Sequence, residues 1–180
     1  MRIVVSGTHA TGKSTLAADL CAALPGHALL GDPWELVEDE SDPASAASFV
    51  EQLHIAAERL LDPALGDDVV LERGPLDLLA YLVALTALGR PAPSPTAMGT
   101  LRTLTARATA HADLLVVLPL EGVRDLYVPA EEDLELRAET DRCLLDLVGD
   151  AELVPGTVDV LEVVGGPAER VAAVRAHLAR

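Results

Sequence analysis

Apolar runs and amphipathic stretches alternate along the whole of this 180-residue chain. The segment "RIVVSG" (2–7) shows little polar alternation, as expected of a strand covered on both faces. Leu16, Leu20, Ala23 and Leu24 then recur at helical spacing and predict a helix over 13–24, closed by Pro25 and Gly26. "ALLGD" (28–32) reads as a second, short strand. Phe49, Leu53, Ala56, Ala57 and Leu60 predict an amphipathic helix over 44–61, stopped by Pro63. "DVVLERG" (68–74) is a third strand that ends in charge. The helix predicted over 75–88 opens on a proline suited to a first turn and is apolar almost all round, so it must be buried, either centrally or at a subunit interface. After the stiff connector "RPAPSP" (90–95), Met98, Leu101, Leu104, Thr105 and Ala108 mark another helix, which carries Arg102 and Arg107. "DLLVVLPL" (113–120) is a fourth strand. Residues 121–137 begin as a polar loop and turn helical near Glu131, continuing to about Val148. "VDVLEVVG" (158–165) is a fifth strand, and Pro167 opens a last helix that runs to Leu178.

Alternation of this kind predicts an α/β fold in which helices cover both faces of a five-stranded parallel sheet. The length suits one such domain, over 1–180, with no internal repeat. Only four residues are aromatic (Trp34, Phe49, Tyr81 and Tyr127), so Leu, Val, Ile and Ala must build the core.

Charge narrows the partners. Lys and Arg number 13 against 29 Asp and Glu, for a net charge of −16. Such a surface repels a phosphate backbone or an anionic lipid surface, which argues against nucleic acid and membrane. The apolar run 76–88 is too short to span a bilayer, and the chain opens on a strand rather than a signal peptide. Cys21 and Cys143 have no metal-site spacing and fall in apolar helical patterns, where they read as small buried hydrophobes. A cytoplasmic location is expected.

Among the 13 cations, Lys13 is the only lysine. It lies in "GTHATGKST", where Gly7, four further residues, Gly12, Lys13 and Ser14 fit GxxxxGK[ST] between a predicted strand and a predicted helix. That context defines a phosphate-binding P-loop. The α/β fold is thus expected to be a P-loop NTPase αβα sandwich with a five-stranded parallel sheet. Gly7, Thr8, His9, Ala10, Thr11, Gly12, Lys13, Ser14 and Thr15 are expected to bind ATP. Backbone amides of 8–13 wrap the β-phosphate, Lys13 bridges the β- and γ-phosphates, and the Ser14 hydroxyl joins a magnesium shell. The His9 side chain touches a phosphate or faces solvent, and solvent is the reading taken.

Ligands of open α/β sheets gather at the carboxyl ends of the strands. Asp32 follows the second strand, and Glu72 and Arg73 follow the third. Phosphoryl transfer uses such a set: a metal site, a cation for developing charge and a carboxylate for the attacking hydroxyl. Asp32 could instead be a turn residue before Pro33, and Glu72 with Arg73 an ion pair at a strand end. Asp77 and Tyr81, four apart on the apolar helix, face the same way. They would either hydrogen-bond an acceptor or satisfy themselves on neighbouring backbone.

"GTHATGKST", "LLGDPWE" and "LERGPLD" resemble, in order and separation, the P-loop, the acidic-Pro-Trp stretch and the Glu-Arg-Ser motif of deoxynucleoside kinases. Thymidylate-kinase-like proteins have an acidic-Arg pair in the same place. "LPLEGVRD" and "VVGGPAERV" resemble segments of small bacterial AAA-type ATP-binding proteins related to ribosylnicotinamide kinases. The resemblance implies Asp32 as base for a substrate hydroxyl, Arg73 as the cation on that hydroxyl or on the transferring phosphoryl group, and Glu72 as a magnesium or water ligand. It also implies Trp34 as a wall of the acceptor pocket. Asp32 stands where the family has Glu, and Gly74 where it has Ser.

A kinase must exclude water from its phosphates, and 121–137 is the expected lid. Arg124 is its candidate catalytic cation, followed by Arg137 and Arg142, although the neighbouring acids allow plain surface ion pairing. The function expected is a phosphotransferase that moves the γ-phosphate of MgATP to a hydroxyl of a nucleoside or nucleoside-like metabolite. The alternative is a P-loop ATPase without a phosphorylated acceptor. A homodimer is compatible with the apolar helix.

Overall fold

The computed structural model describes residues 1–37, 44–122 and 132–180. Five strands, β1 (Arg2–Ser6), β2 (Ala28–Leu30), β3 (Val69–Glu72), β4 (Leu114–Val117) and β5 (Asp159–Glu162), form one parallel sheet in the order β2-β3-β1-β4-β5. Six helices connect and cover it: α1 (Lys13–Ala23), α2 (Ala46–Leu61), α3 (Pro75–Ala87), α4 (Pro95–Thr109), α5 (Leu134–Val148) and α6 (Pro167–Leu178). The expected α/β sandwich is thus present.

Strand alternation sorts the core into two layers. Val4, Val69, Leu71, Leu115 and Val117 point into one apolar cluster together with α2, α3, α4 and α5. Ile3, Val5, Val70, Leu114 and Val116 point the other way, against Leu16, Ala17 and Leu20 of α1 and Val174 of α6. A strand whose two faces are both covered has no polar positions left to alternate, which is why β1, β3 and β4 read as unbroken apolar runs. The edge strands are shorter than their sequence patterns: β2 keeps three residues and β5 four, and both carry exposed positions.

α3 is packed by α2, α4 and α5 of the same chain, which accounts for its all-round apolar character. Its surface is therefore spent on the central position. Ser45, Ser94 and Asp133 cap α2, α4 and α5 by accepting from Ser48 N (3.2 Å), Ala97 N (3.3 Å) and Leu136 N (3.0 Å). The Asp133 cap starts α5 later than the sequence pattern suggests, and Glu131 lies outside the described residues. Among the described residues, no helix is long and apolar enough to cross a membrane. Cys143 is buried and Cys21 partly so, both as free thiols; burial pushes the Cys143 thiol up to about 11.

β1 lies between β3 and β4, and the chain leaves it in one direction for β2 and β3 and later in the other for β4 and β5. The carboxyl end of β1 is therefore the switch point at which open α/β sheets place their ligand. It is here that the sequence puts Gly7.

Candidate active site

The loop from Gly7 to Gly12 joins β1 to the first turn of α1. Gly7 has φ 155° and Gly12 φ 87°, values that a Cβ disfavours. A Cβ on Gly7 would also come within 2.7 Å of Thr11 Oγ1 and 2.9 Å of the Leu118 carbonyl. Ala10, with φ 51°, takes a left-handed conformation without being glycine.

Four consecutive carbonyls of the loop accept from side chains. Thr8 O accepts from Lys13 Nζ at 2.8 Å and from Thr11 Oγ1 at 3.0 Å. Arg137, on the first turn of α5, donates Nε to His9 O at 2.8 Å and Nη2 to Ala10 O at 3.1 Å. Arg170, on α6, donates Nη1 to Thr11 O at 2.6 Å. With these carbonyls engaged, and with Gly7 N and His9 N donating to Asp77 and Tyr81 of α3, an anion would be held by the amides that follow, at the start of α1. Lys13 is buried there, and burial together with the charge of Arg73 lowers its pKa to about 8. The His9 side chain is about half exposed, with Nδ1 3.7 Å from Glu132 Oε1; partial desolvation by the surrounding protein and the charges of Arg73 and Lys13 lower its pKa to about 4, so it is neutral near pH 7.

Opposite the loop, β3 ends in Glu72 and is followed by Arg73, both buried. Ser14 Oγ donates to Glu72 Oε1 at 2.5 Å, a hydroxyl and a carboxylate of the type that hard cations take. Arg73 has a left-handed backbone, φ 64°, unusual for a residue with a Cβ. Its Nε lies 3.4 Å from Asp32 Oδ2 and has no well-aligned hydrogen-bond partner, while Nη1 donates to Gln52 Oε1 at 3.5 Å. Burial works against the Arg73 charge, but Asp32 beside it, with Tyr81, Asp77 and Glu72 beyond, holds its pKa above the ordinary value. Asp32 serves two partners, since its Oδ1 also accepts from Trp34 N at 3.0 Å and caps a short 3-10 turn over Pro33–Leu36. The turn-residue reading and the Arg73 pairing hold together.

Two cavities meet on these side chains. One of about 280 Å³ is lined by His9, Ala10, Gly12, Lys13, Ser14, Asp32, Glu72 and Arg73. The other, of about 450 Å³, shares His9, Ser14, Asp32, Glu72 and Arg73 and extends to Trp34, Glu35, Phe49 and Gln52. A smaller cleft of about 50 Å³ lies on the far side of the loop, between Gly12 and Thr15 and the Gly165–Gly166–Pro167 turn.

Solved structures share this architecture. A deoxyadenosine kinase from M. mycoides, with bound dATP, superposes with a TM-score of 0.72 at 13% identity, covering 100% of both chains. This chain shares the fold of that kinase. A thymidylate kinase from Candida albicans (TM-score 0.65, 17% identity, 99% of this chain and 90% of that one) and a shikimate kinase from Aquifex aeolicus (0.54, 16%, 99% and 96%) are similar in the same way. No family model matches the chain, and no curated protein matches it.

Within this fold, Lys13, Ser14, Asp32, Trp34, Glu72 and Arg73 come together around the two cavities. Asp77 and Tyr81 do not line either one; their polar atoms are bonded to the phosphate loop, the second of the two alternatives that the sequence left open. Arg124 and most of the expected lid, 123–131, lie outside the described residues. Arg137 reaches the loop, whereas Arg142 is held along α5 by Glu139 at 2.5 Å and Asp146 at 2.9 Å. Phe49, Gln52 and Arg170 were not anticipated. A glutamine three residues after Phe49, inside an apolar stripe, was the available signal for the first two. Arg170 lies 159 residues from its partner, and no local pattern marks it.

Proposed function

We propose that the chain is an ATP-dependent small-molecule kinase that transfers the γ-phosphate of MgATP to a hydroxyl of a nucleoside or nucleoside-like metabolite. The observation that carries this reading is the shared wall. The cavity on the phosphate loop and the larger one beside it meet at Ser14, Asp32, Glu72 and Arg73, with room for a second small molecule beyond them. A hydrolase needs space for water alone, whereas an acceptor kinase needs this second chamber.

In this reading the loop amides and Lys13 bind the polyphosphate and neutralise it. Asp32 accepts the proton of the acceptor hydroxyl as its oxygen bonds to the γ-phosphorus and the bond to the β–γ bridging oxygen breaks, releasing ADP. Arg73, fixed by Asp32 and Gln52, steadies the charge spread over the transferring group. Trp34 and Phe49 give the acceptor an apolar wall, and Gln52 gives it a polar one.

The Ser14–Glu72 oxygen pair fits magnesium. Among the described residues, no group of three or more His, Cys, Asp or Glu could hold a metal by itself. That suits an ion that takes few protein ligands and completes its shell with phosphate oxygens and water. When bound, magnesium would neutralise charge on the phosphates. Two free thiols accord with a reducing, cytoplasmic setting.

The test is a scan of hydroxyl acceptors with MgATP, reading phosphate esters by mass and ADP by a coupled assay. One acceptor class should yield both signals, and Lys13→Ala should yield neither. ADP released equally in every well, with no ester, would refute the proposal in favour of an ATPase.

A further inference from the structure

Among the buried polar side chains that the transfer chemistry does not use, two stand between the halves of the site. Asp77 and Tyr81 lie on α3, a helix otherwise apolar, and are 1% and 2% exposed. A carboxylate and a phenol so deeply placed are costly unless hydrogen-bonded. Their partners fall on both halves of the site. Asp77 Oδ1 accepts from Gly7 N at 2.7 Å, and Oδ2 accepts from Ser6 Oγ at 2.7 Å and from Gly74 N at 3.0 Å. Ser6 ends β1 and Gly7 begins the phosphate loop, while Gly74 follows Arg73.

Arg73 is left-handed, a conformation that costs a non-glycine residue on the order of 1 kcal/mol and persists only where its surroundings impose it. Here the chain is pinned on both sides of that residue, by Arg73 N donating to Val5 O at 2.9 Å and by Gly74 N on Asp77. One turn along α3, the Tyr81 hydroxyl accepts from His9 N at 2.9 Å and lies 3.2 Å from Thr8 Oγ1. Its ring stacks on Phe49 with centroids 4.5 Å apart, and the Arg73 guanidinium sits 5.6 Å from the Tyr81 centroid. Each of the two side chains therefore touches the donor side at one point and the acceptor side at another.

We propose that Asp77 and Tyr81 are positioning residues that lock the phosphate loop to Arg73, so that one buried helix sets the separation of donor and acceptor. The inference rests on the kinase reading above. It assigns the two groups different reach: the tyrosine hydroxyl serves the loop, the tyrosine ring serves Arg73, and the aspartate serves both.

Three variants separate these roles. Tyr81→Phe removes the hydroxyl and keeps the ring, so the affinity for adenosine 5′-(β,γ-imido)triphosphate with magnesium, read by calorimetry, should fall about tenfold. The KM of whichever acceptor the scan returns should stay unchanged. Tyr81→Leu also removes the ring and should raise that KM as well. Asp77→Asn keeps one oxygen but turns its NH2 toward a backbone N–H, that of Gly7 or of Gly74, and should both weaken binding of the analogue and raise that KM. Each variant is assayed well below its own melting temperature. Tyr81→Phe that melts earlier yet binds the analogue as the wild type does would show a packing role only and overturn the inference. If the wild type binds the analogue but phosphorylates no acceptor, the kinase reading fails, and the Tyr81→Phe affinity still decides the loop half of the proposal. A wild type that binds no nucleotide overturns both.

Discussion

The buried ammonium of Lys13 gives nucleotide binding a proton signature. In the free protein this side chain is 5% exposed, and burial followed by the charge of Arg73 brings its pKa from 10.5 to about 8. Between those two values the folded, ligand-free protein holds fewer protons at Lys13 than an unperturbed lysine would. A triphosphate arriving at the loop reverses the balance, because its negative charge favours the ammonium. Binding must then draw a proton from solution. With a free-state pKa of about 8, the uptake per nucleotide should be about 0.1 at pH 7, about 0.5 at pH 8 and about 0.9 at pH 9. Calorimetric titration with MgATP in two buffers of different ionisation enthalpy reads this number as the slope of observed heat against buffer heat. His9, depressed to about 4, would contribute uptake of the opposite trend, fading as pH rises. A slope that is flat or falls between pH 7 and pH 9 would show that Lys13 is already fully charged before the phosphate arrives, and the account of its burial would be wrong.

Two substitutions test the chemistry and the loop separately. Asp32→Asn keeps an oxygen to cap Trp34 N but removes the proton acceptor, so turnover should fall about 10²–10⁴-fold with MgATP affinity nearly unchanged, read by steady-state kinetics and calorimetry; normal turnover would take Asp32 out of the mechanism. Gly7→Ala puts a methyl within 2.9 Å of the Leu118 carbonyl at a φ that alanine disfavours, so stability should drop by about 1–3 kcal/mol in denaturant unfolding, with nucleotide affinity falling too.

Local pattern carried most of the secondary structure and the phosphate loop. The central strands show as apolar runs because two helical layers cover them, and the P-loop shows because its spacing is the chemistry. The order of strands in the sheet is invisible locally, since it depends on which side of β1 each crossover falls. Asp77 and Tyr81 illustrate the same limit. Their shared helical face was legible at four-residue spacing, but whether that face met a ligand or the loop depended on where α3 docks. Gln52 sits in a stripe that reads as ordinary core, and Arg137 and Arg170 find their carbonyls across 127 residues or more.

Those two arginines bear on how the site receives its ligand. By tying down His9, Ala10 and Thr11 from behind, they turn the negative ends of the peptide dipoles away from the place an anion would occupy. A triphosphate then meets a socket that is already cast, where a looser segment would have to be coiled around it. The free energy a looser segment would surrender to its own ordering stays available for grip and for geometric discrimination at the reacting end.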